Sequence, residues 1–114
     1  MDELQQLQEK IIKFRDERDW AQFHTPKELA ISLAIETAEL MENFQWAKGA
    51  TKEYQDAKRQ DIADELADCM IYLLTFAHAL DINLSDAIIR KIERSAAKYP
   101  VEKSFGRDTK HTDL

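Results

Sequence analysis

An all-α protein, folded as an antiparallel bundle of four helices, is what this sequence predicts, on three observations. Glycine and proline are scarce, two of each in 114 residues, so long stretches contain nothing that interrupts a helix. Within those stretches apolar residues recur three and four apart, the period of a helix with a buried face. Helix start signals stand at the heads of two of them. A chain of this length is expected to form one domain, residues 1–114, with a core of its own.

The first helix is placed at residues 2–17, where Leu4, Leu7, Ile11 and Phe14 keep helical spacing. A connector from Asp19 to His24 follows. Thr25-Pro26-Lys27-Glu28 opens the second helix, with Thr as N-cap, Pro at the first helical position and Glu three residues after the cap. It is predicted to run to about Trp46, where Lys48-Gly49 supplies a stop. Residues 50–55 read as a polar link. The third helix then continues to about Leu80, with Ile62, Leu66, Cys69, Leu73 and Phe76 in its apolar stripe. Asn83-Leu84-Ser85-Asp86 turns the chain and caps the fourth helix, which ends before Tyr99-Pro100. The remainder, residues 102–114 above all, is polar and aperiodic, and is expected to be a loosely ordered tail unless a partner chain or ligand holds it.

Short links between four helices make antiparallel neighbours. The second helix carries two apolar stripes, one of Leu29, Leu33, Leu40 and Phe44 and another of Ile31, Ile35 and Ala38. One small bundle has trouble burying both, so the sequence predicts a homo-oligomer, a dimer or tetramer.

Composition excludes several functions. A net charge of −6 leaves no basic stripe for a nucleic-acid backbone. No segment has the length of a membrane span, and MDELQQLQEK is unlike a signal peptide, so a soluble cytoplasmic protein is expected. The single cysteine, Cys69, lies in an apolar helical pattern and reads as a small buried hydrophobe.

Four acids carry the chemistry. Glu36-x-x-Glu39 and Glu65-x-x-Asp68 are matched pairs, each one turn apart on a predicted helix, and the two helices are expected to be neighbours. Two carboxylates about 5 Å apart repel by about 3 kcal/mol at an effective dielectric of about 20. Glu36 stands where the stripe of Leu29, Leu33 and Leu40 calls for an apolar side chain, and Asp68 is similarly out of place among small and apolar neighbours. Any one of these acids alone reads best as a solvated surface charge; two identically spaced pairs read as a metal site. Oxygen ligands without His or Cys favour a hard cation, Mg²⁺ or Mn²⁺, and such a cation suggests phosphate chemistry. Glu42, Asp61 and Asp64 flank the same helices; some could support the metal ligands from behind, but each reads better as an exposed charge. A di-iron bundle would need Glu-x-x-His motifs, which neither Glu36 nor Glu65 begins.

The acid pairs resemble the motif of the MazG-like, all-α nucleoside triphosphate pyrophosphohydrolases. The segment from Phe14 through Trp20-Ala21-Gln22-Phe23-His24 is similar to the one that precedes the metal helix in the dCTP pyrophosphatase branch of that family. Phe44-Gln45-Trp46, Ile71-Tyr72-Leu73, Lys98-Tyr99-Pro100 and the tail residues Lys103-Ser104-x-Gly106 and Lys110-x-Thr112-Asp113-Leu114 resemble the same branch. The likeness covers nearly the whole chain. It implies hydrolysis of a nucleoside triphosphate to monophosphate and pyrophosphate in nucleotide-pool sanitation, with Glu36, Glu39, Glu65 and Asp68 as Mg²⁺ ligands. It also implies Trp20, Phe23, His24, Trp46 and Tyr72 near the nucleotide, and Lys91 and Lys98 as phosphate contacts; without it, the lysines read as surface residues and each Trp equally well as a packing anchor. Glu39 is nominated as the base that takes a proton from the attacking water.

Two departures bear on substrate choice. Ile11 stands where the branch carries a His, and Ser95 where it carries an Asn. Neither touches the acid motif; a pyrimidine deoxynucleotide, dCTP or a modified dCTP, is the first expected substrate, with other dNTPs open. Two other readings compete: a helical interaction module whose acids bind a basic partner, and a hydrolase of another nucleotide pyrophosphate.

Overall fold

The computed structural model describes all residues from Met1 to Leu114 and contains helices and turns but no strand. The six α-helices are α1 (Glu3–Glu17), α2 (Pro26–Glu42), α3 (Lys52–Ala57), α4 (Arg59–Ala79), α5 (Leu84–Lys98) and α6 (Val101–Ser104). Three 3₁₀ turns accompany them, Ala21–Phe23, Ala47–Ala50 and His111–Asp113. No helix is long and apolar enough to cross a membrane. The chain divides into two compact units, Met1–Ile82 and Asn83–Leu114.

In the first unit the helix starts follow their capping chemistry. Asp2 and Gln5 form a reciprocal capping box at α1, with Gln5 N donating to Asp2 Oδ1 at 2.8 Å. Thr25 Oγ1 accepts from Glu28 N at 3.3 Å, and Pro26 takes the first helical position of α2. The helix ends show something the sequence does not. α1 and α4 both close in Schellman motifs whose left-handed residue is an aspartate, Asp19 at φ 55° and Asp81 at φ 54°. The paired bonds are present at each end: Trp20 N to Arg15 O and Asp19 N to Asp16 O, then Ile82 N to Ala77 O and Asp81 N to His78 O.

α2 ends at Glu42, earlier than its expected end at Trp46. Beyond it the chain tightens through bonds from Phe44 N to Met41 O and Gln45 N to Glu42 O. It then folds back so closely that buried Gly49 lies on the Phe44 backbone, where a Cβ would come within 2.8 Å of the Phe44 carbonyl oxygen. The segment expected as a polar link is largely helix α3, capped by the Thr51 hydroxyl on Tyr54 N. The local capping bond outweighs the lack of an apolar stripe over six residues.

α4 packs against both α2 and α1. The fully buried side chains are Leu29 on α2 and Leu74 on α4, each 1% exposed, with Ala77 and Thr75 beside them in sequence and buried too. Gln8 on α1 donates to the Leu74 carbonyl at 2.9 Å, and Thr75 Oγ1 to Ile71 O at 2.7 Å. Cys69 is half-buried, 4.0 Å from Thr37 Oγ1. The second stripe of α2 is left open: Ile31 and Ile35 are exposed, as are Leu66, Met70 and Leu73 on α4.

The second unit holds α5, capped by Asn83 Oδ1 on Asp86 N at 3.1 Å. Beyond it lie α6 and the last 3₁₀ turn, where the Tyr99 and His111 rings meet edge to face at 5.6 Å.

Candidate metal centre

α2 and α4 place the acids. Residues three or four apart share a helix face, so Glu36, Glu39 and Glu42 form one ladder and Asp61, Glu65 and Asp68 another. Glu36 feels the charge of Asp68, and Glu65 that of Glu42. Low numbers on one helix thus meet high numbers on the other, and the pair runs antiparallel. One carboxylate oxygen from each of Glu36, Glu65 and Asp68 lies within 4.8 Å of the others. Glu39 bears on the same focus, since its charge acts on both Glu36 and Glu65.

Burial and repulsion act together there. Partial withdrawal from water, then the charge of Glu39, pushes the Glu36 carboxyl above its ordinary range. Glu65 is raised for the same reasons, burial first and then the charges of Glu39 and Asp68. Glu36 Oε2 and Glu65 Oε2 are buried and accept no hydrogen bond. Buried acceptors are ordinarily satisfied. A divalent cation would satisfy both oxygens and cancel the repulsion, and an all-oxygen donor set suits Mg²⁺ or Mn²⁺. The residues present therefore fit such an ion.

The aromatic candidates divide between the two ends of α2. Trp20 is the residue after the left-handed Asp19, and its ring meets Phe14 edge to face at 5.7 Å, the apolar contact that accompanies a Schellman end. The Arg18 guanidinium stacks 3.7 Å over the Phe14 ring. Trp20 is thus a packing anchor, and at 43% exposure it keeps an open face. Phe23 is exposed on the neighbouring 3₁₀ turn. His24 is half-buried with Nδ1 unpartnered; burial first, then the charge of Arg15, lowers its pKa and favours the neutral ring. Trp46 follows the other end of α2 and is 74% exposed. The 17 residues of α2, about 25 Å of helix, lie between the segments that carry Trp20 and Trp46. Tyr72 is half-buried one turn past Asp68. Lys91 and Lys98 are exposed on α5 in the second unit.

A cavity of about 370 Å³ takes in Glu39 and Glu65 together with Glu42, Asp61 and Asp64, so those flanking acids adjoin the focus. Tyr54 and Lys58 line it too. Sequence reading passed over both, although a signal was present: Lys58 precedes Glu65 by seven residues, two turns on one face, and Tyr54 precedes Lys58 by four.

Residues 31–114 match the model of the MazG-like family. The chain is 39% identical over 105 residues to dCTP pyrophosphatase 1 of Rattus norvegicus, covering 90% of this chain and 62% of the relative. To dCTP pyrophosphatase 1 of Homo sapiens it is 32% identical over 105 residues with the same coverage. The chain thus spans 62% of the length of these curated relatives. Its fold matches the crystal structure of a pyrophosphatase from Archaeoglobus fulgidus DSM 4304 with a TM-score of 0.79 at 38% identity, covering 88% of this chain and 94% of that one.

Proposed function

The chain belongs to the MazG-like family, and from that premise we propose that it is a divalent-metal-dependent nucleoside triphosphate pyrophosphohydrolase. The substrate is a deoxynucleotide, dCTP or a modified dCTP, and the products are the monophosphate and pyrophosphate. One observation carries this reading: three acids, Glu36, Glu65 and Asp68, converge from two antiparallel helices, with the charge of Glu39 acting on two of them and two buried carboxylate oxygens unsatisfied. The names of the relatives support the substrate class.

Glu36, Glu39, Glu65 and Asp68 would hold Mg²⁺. Bound there, Mg²⁺ would neutralise phosphate charge, polarise the α-phosphorus and lower the pKa of water. Glu39, which is not one of the three acids whose oxygens lie within 4.8 Å of one another, would accept the proton of the attacking water. The water oxygen joins the α-phosphorus, the bond from that phosphorus to the α–β bridging oxygen breaks, and pyrophosphate leaves with the electron pair. Trp20, Phe23, His24, Trp46 and Tyr72 receive the nucleoside. A neutral His24 suits a hydrogen bond to the base better than an ion pair with phosphate.

The assembly is a homo-oligomer. Exposed Ile31, Ile35, Leu66, Met70 and Leu73 support this, because a soluble monomer rarely leaves such a face open.

Incubation with each dNTP and NTP, with Mg²⁺ and with EDTA, tests the reading. Monophosphate and pyrophosphate formed only with Mg²⁺, fastest from dCTP, is the expected result. Diphosphate with orthophosphate would mean that a different bond is cut. No turnover of any triphosphate would overturn the assignment.

A further inference from the structure

The cavity beside the acid focus contains a cation that none of the chemistry above uses. Lys58, at the junction of α3 and α4, is the one basic residue among its lining residues. Five carboxylates share that lining, Glu39, Glu42, Asp61, Asp64 and Glu65, yet Lys58 pairs with none of them. The ion pairs of the protein are Lys13–Glu17, Arg15–Asp16 and Lys52–Asp56. Lys52 closes on the acid four residues later, whereas the residue four after Lys58 is Ile62. The Lys58 ammonium is therefore left for a ligand. Tyr54 stands one turn earlier, and the bond from Lys58 N to Tyr54 O at 3.0 Å fixes the two on one side of the chain.

We propose that Lys58, with the Tyr54 hydroxyl, binds the terminal phosphates of the substrate, the portion that departs as pyrophosphate. The inference rests on the pyrophosphohydrolase reading and names a phosphate subsite for it. The cavity includes Glu39 and Glu65 but not Glu36 or Asp68, so it begins at one edge of the focus and extends toward α3. An α-phosphorus attacked beside Glu39 leaves the β- and γ-phosphates to run along that direction. Its lining combines the acids Glu39 and Glu65 with two hydrogen-bond donors, the Lys58 ammonium and the Tyr54 hydroxyl. A lysine is suited to this task as a compact charge with three donors. Glu42, Asp61 and Asp64 repel a bare polyphosphate, so the phosphate chain enters as its divalent-cation complex.

Calorimetric titration of the Mg²⁺-saturated protein with pyrophosphate, and separately with dCMP, tests the assignment. Lys58→Ala is expected to weaken pyrophosphate binding by about tenfold or more, the range for a hydrogen bond to a charged group, and to leave dCMP binding unchanged. Lys58→Arg, which keeps the charge, restores most of the loss. Pyrophosphate binding to Lys58→Ala as tight as to the wild type would overturn the proposal, and so would an equal loss for both ligands, which marks a general charge effect. Turnover by the wild type separates the two levels: an active wild type with unaltered pyrophosphate affinity in the variant refutes the Lys58 role alone. A wild type that hydrolyses no triphosphate removes the parent reading and this one with it.

Discussion

The α2–α4 pair is built in two halves that follow opposite rules. At one end Leu29, Leu74 and Ala77 are buried, and the helices are held by removing apolar surface from water. In the other half the same helices bring Glu36, Glu65 and Asp68 together with Glu39 nearby, and the metal-free protein is pushed apart there. A stretch that natural packing would fill with leucine is filled with repelling carboxylates. Local instability of this kind, held in place by an ordinary core one or two turns away, is the physical mark of a binding site.

Substitution separates the halves. Glu36→Gln is expected to lower turnover of dCTP by more than about a hundredfold, the upper end of what losing an indirect metal contact costs. Without metal the same variant should melt at or above the wild-type temperature, because the amide removes a repelling charge and can donate to its neighbours. Steady-state kinetics and metal-free thermal melts check both parts. Full activity in this variant would place the metal elsewhere. In the apolar half the effect reverses. Leu74→Ala leaves a cavity at a fully buried position and should cost about 2–5 kcal/mol in a denaturant titration.

The metal-free protein should also show the acid half in its pH dependence. Glu36 and Glu65 titrate above their ordinary value in the folded state. The folded state therefore binds more protons than the unfolded one as pH rises above 4.5. Their stabilising contribution is complete below that value and is lost as pH rises through the raised folded values. In EDTA the melting temperature should fall across that window, and saturating Mg²⁺ should abolish the fall. A melting temperature with the same pH dependence in EDTA and in Mg²⁺ would count against the site.

Much of this architecture could be read in advance, and the residues say why. Thr25-Pro26-x-Glu28 announced the start of α2 and Asn83 that of α5, because capping is local chemistry written in adjacent residues. The acid pairs were legible because a spacing of three on a helix places both side chains on one face. Three features escaped. Helix α3 has only six residues and no apolar stripe, so periodicity cannot detect it. The ends of α1 and α4 use aspartate where left-handed backbone usually calls for glycine. The approach of Tyr54 and Lys58 to the acids is hinted at by the seven-residue spacing from Lys58 to Glu65, but it also depends on where α3 turns into α4, in a segment that carries no apolar stripe.

The smallest expected effect comes from one of those missed ends. Asp81 is held at φ 54° beyond the last turn of α4, and glycine adopts that conformation without the Cβ penalty. Asp81→Gly should stabilise the protein by about 0.5–1 kcal/mol, read from a denaturant titration, with catalysis unchanged. A loss of stability would show that the aspartate side chain supports the turn by a contact of its own.

The most direct test of the central claim is a titration of the metal-free protein with Mn²⁺, followed by calorimetry, for the wild type and Glu36→Gln side by side. Convergence of the acids on a cation predicts saturable binding by the wild type and at least about tenfold weaker binding by the variant. Equal Mn²⁺ affinity in the two proteins, or no binding by the wild type, would contradict it.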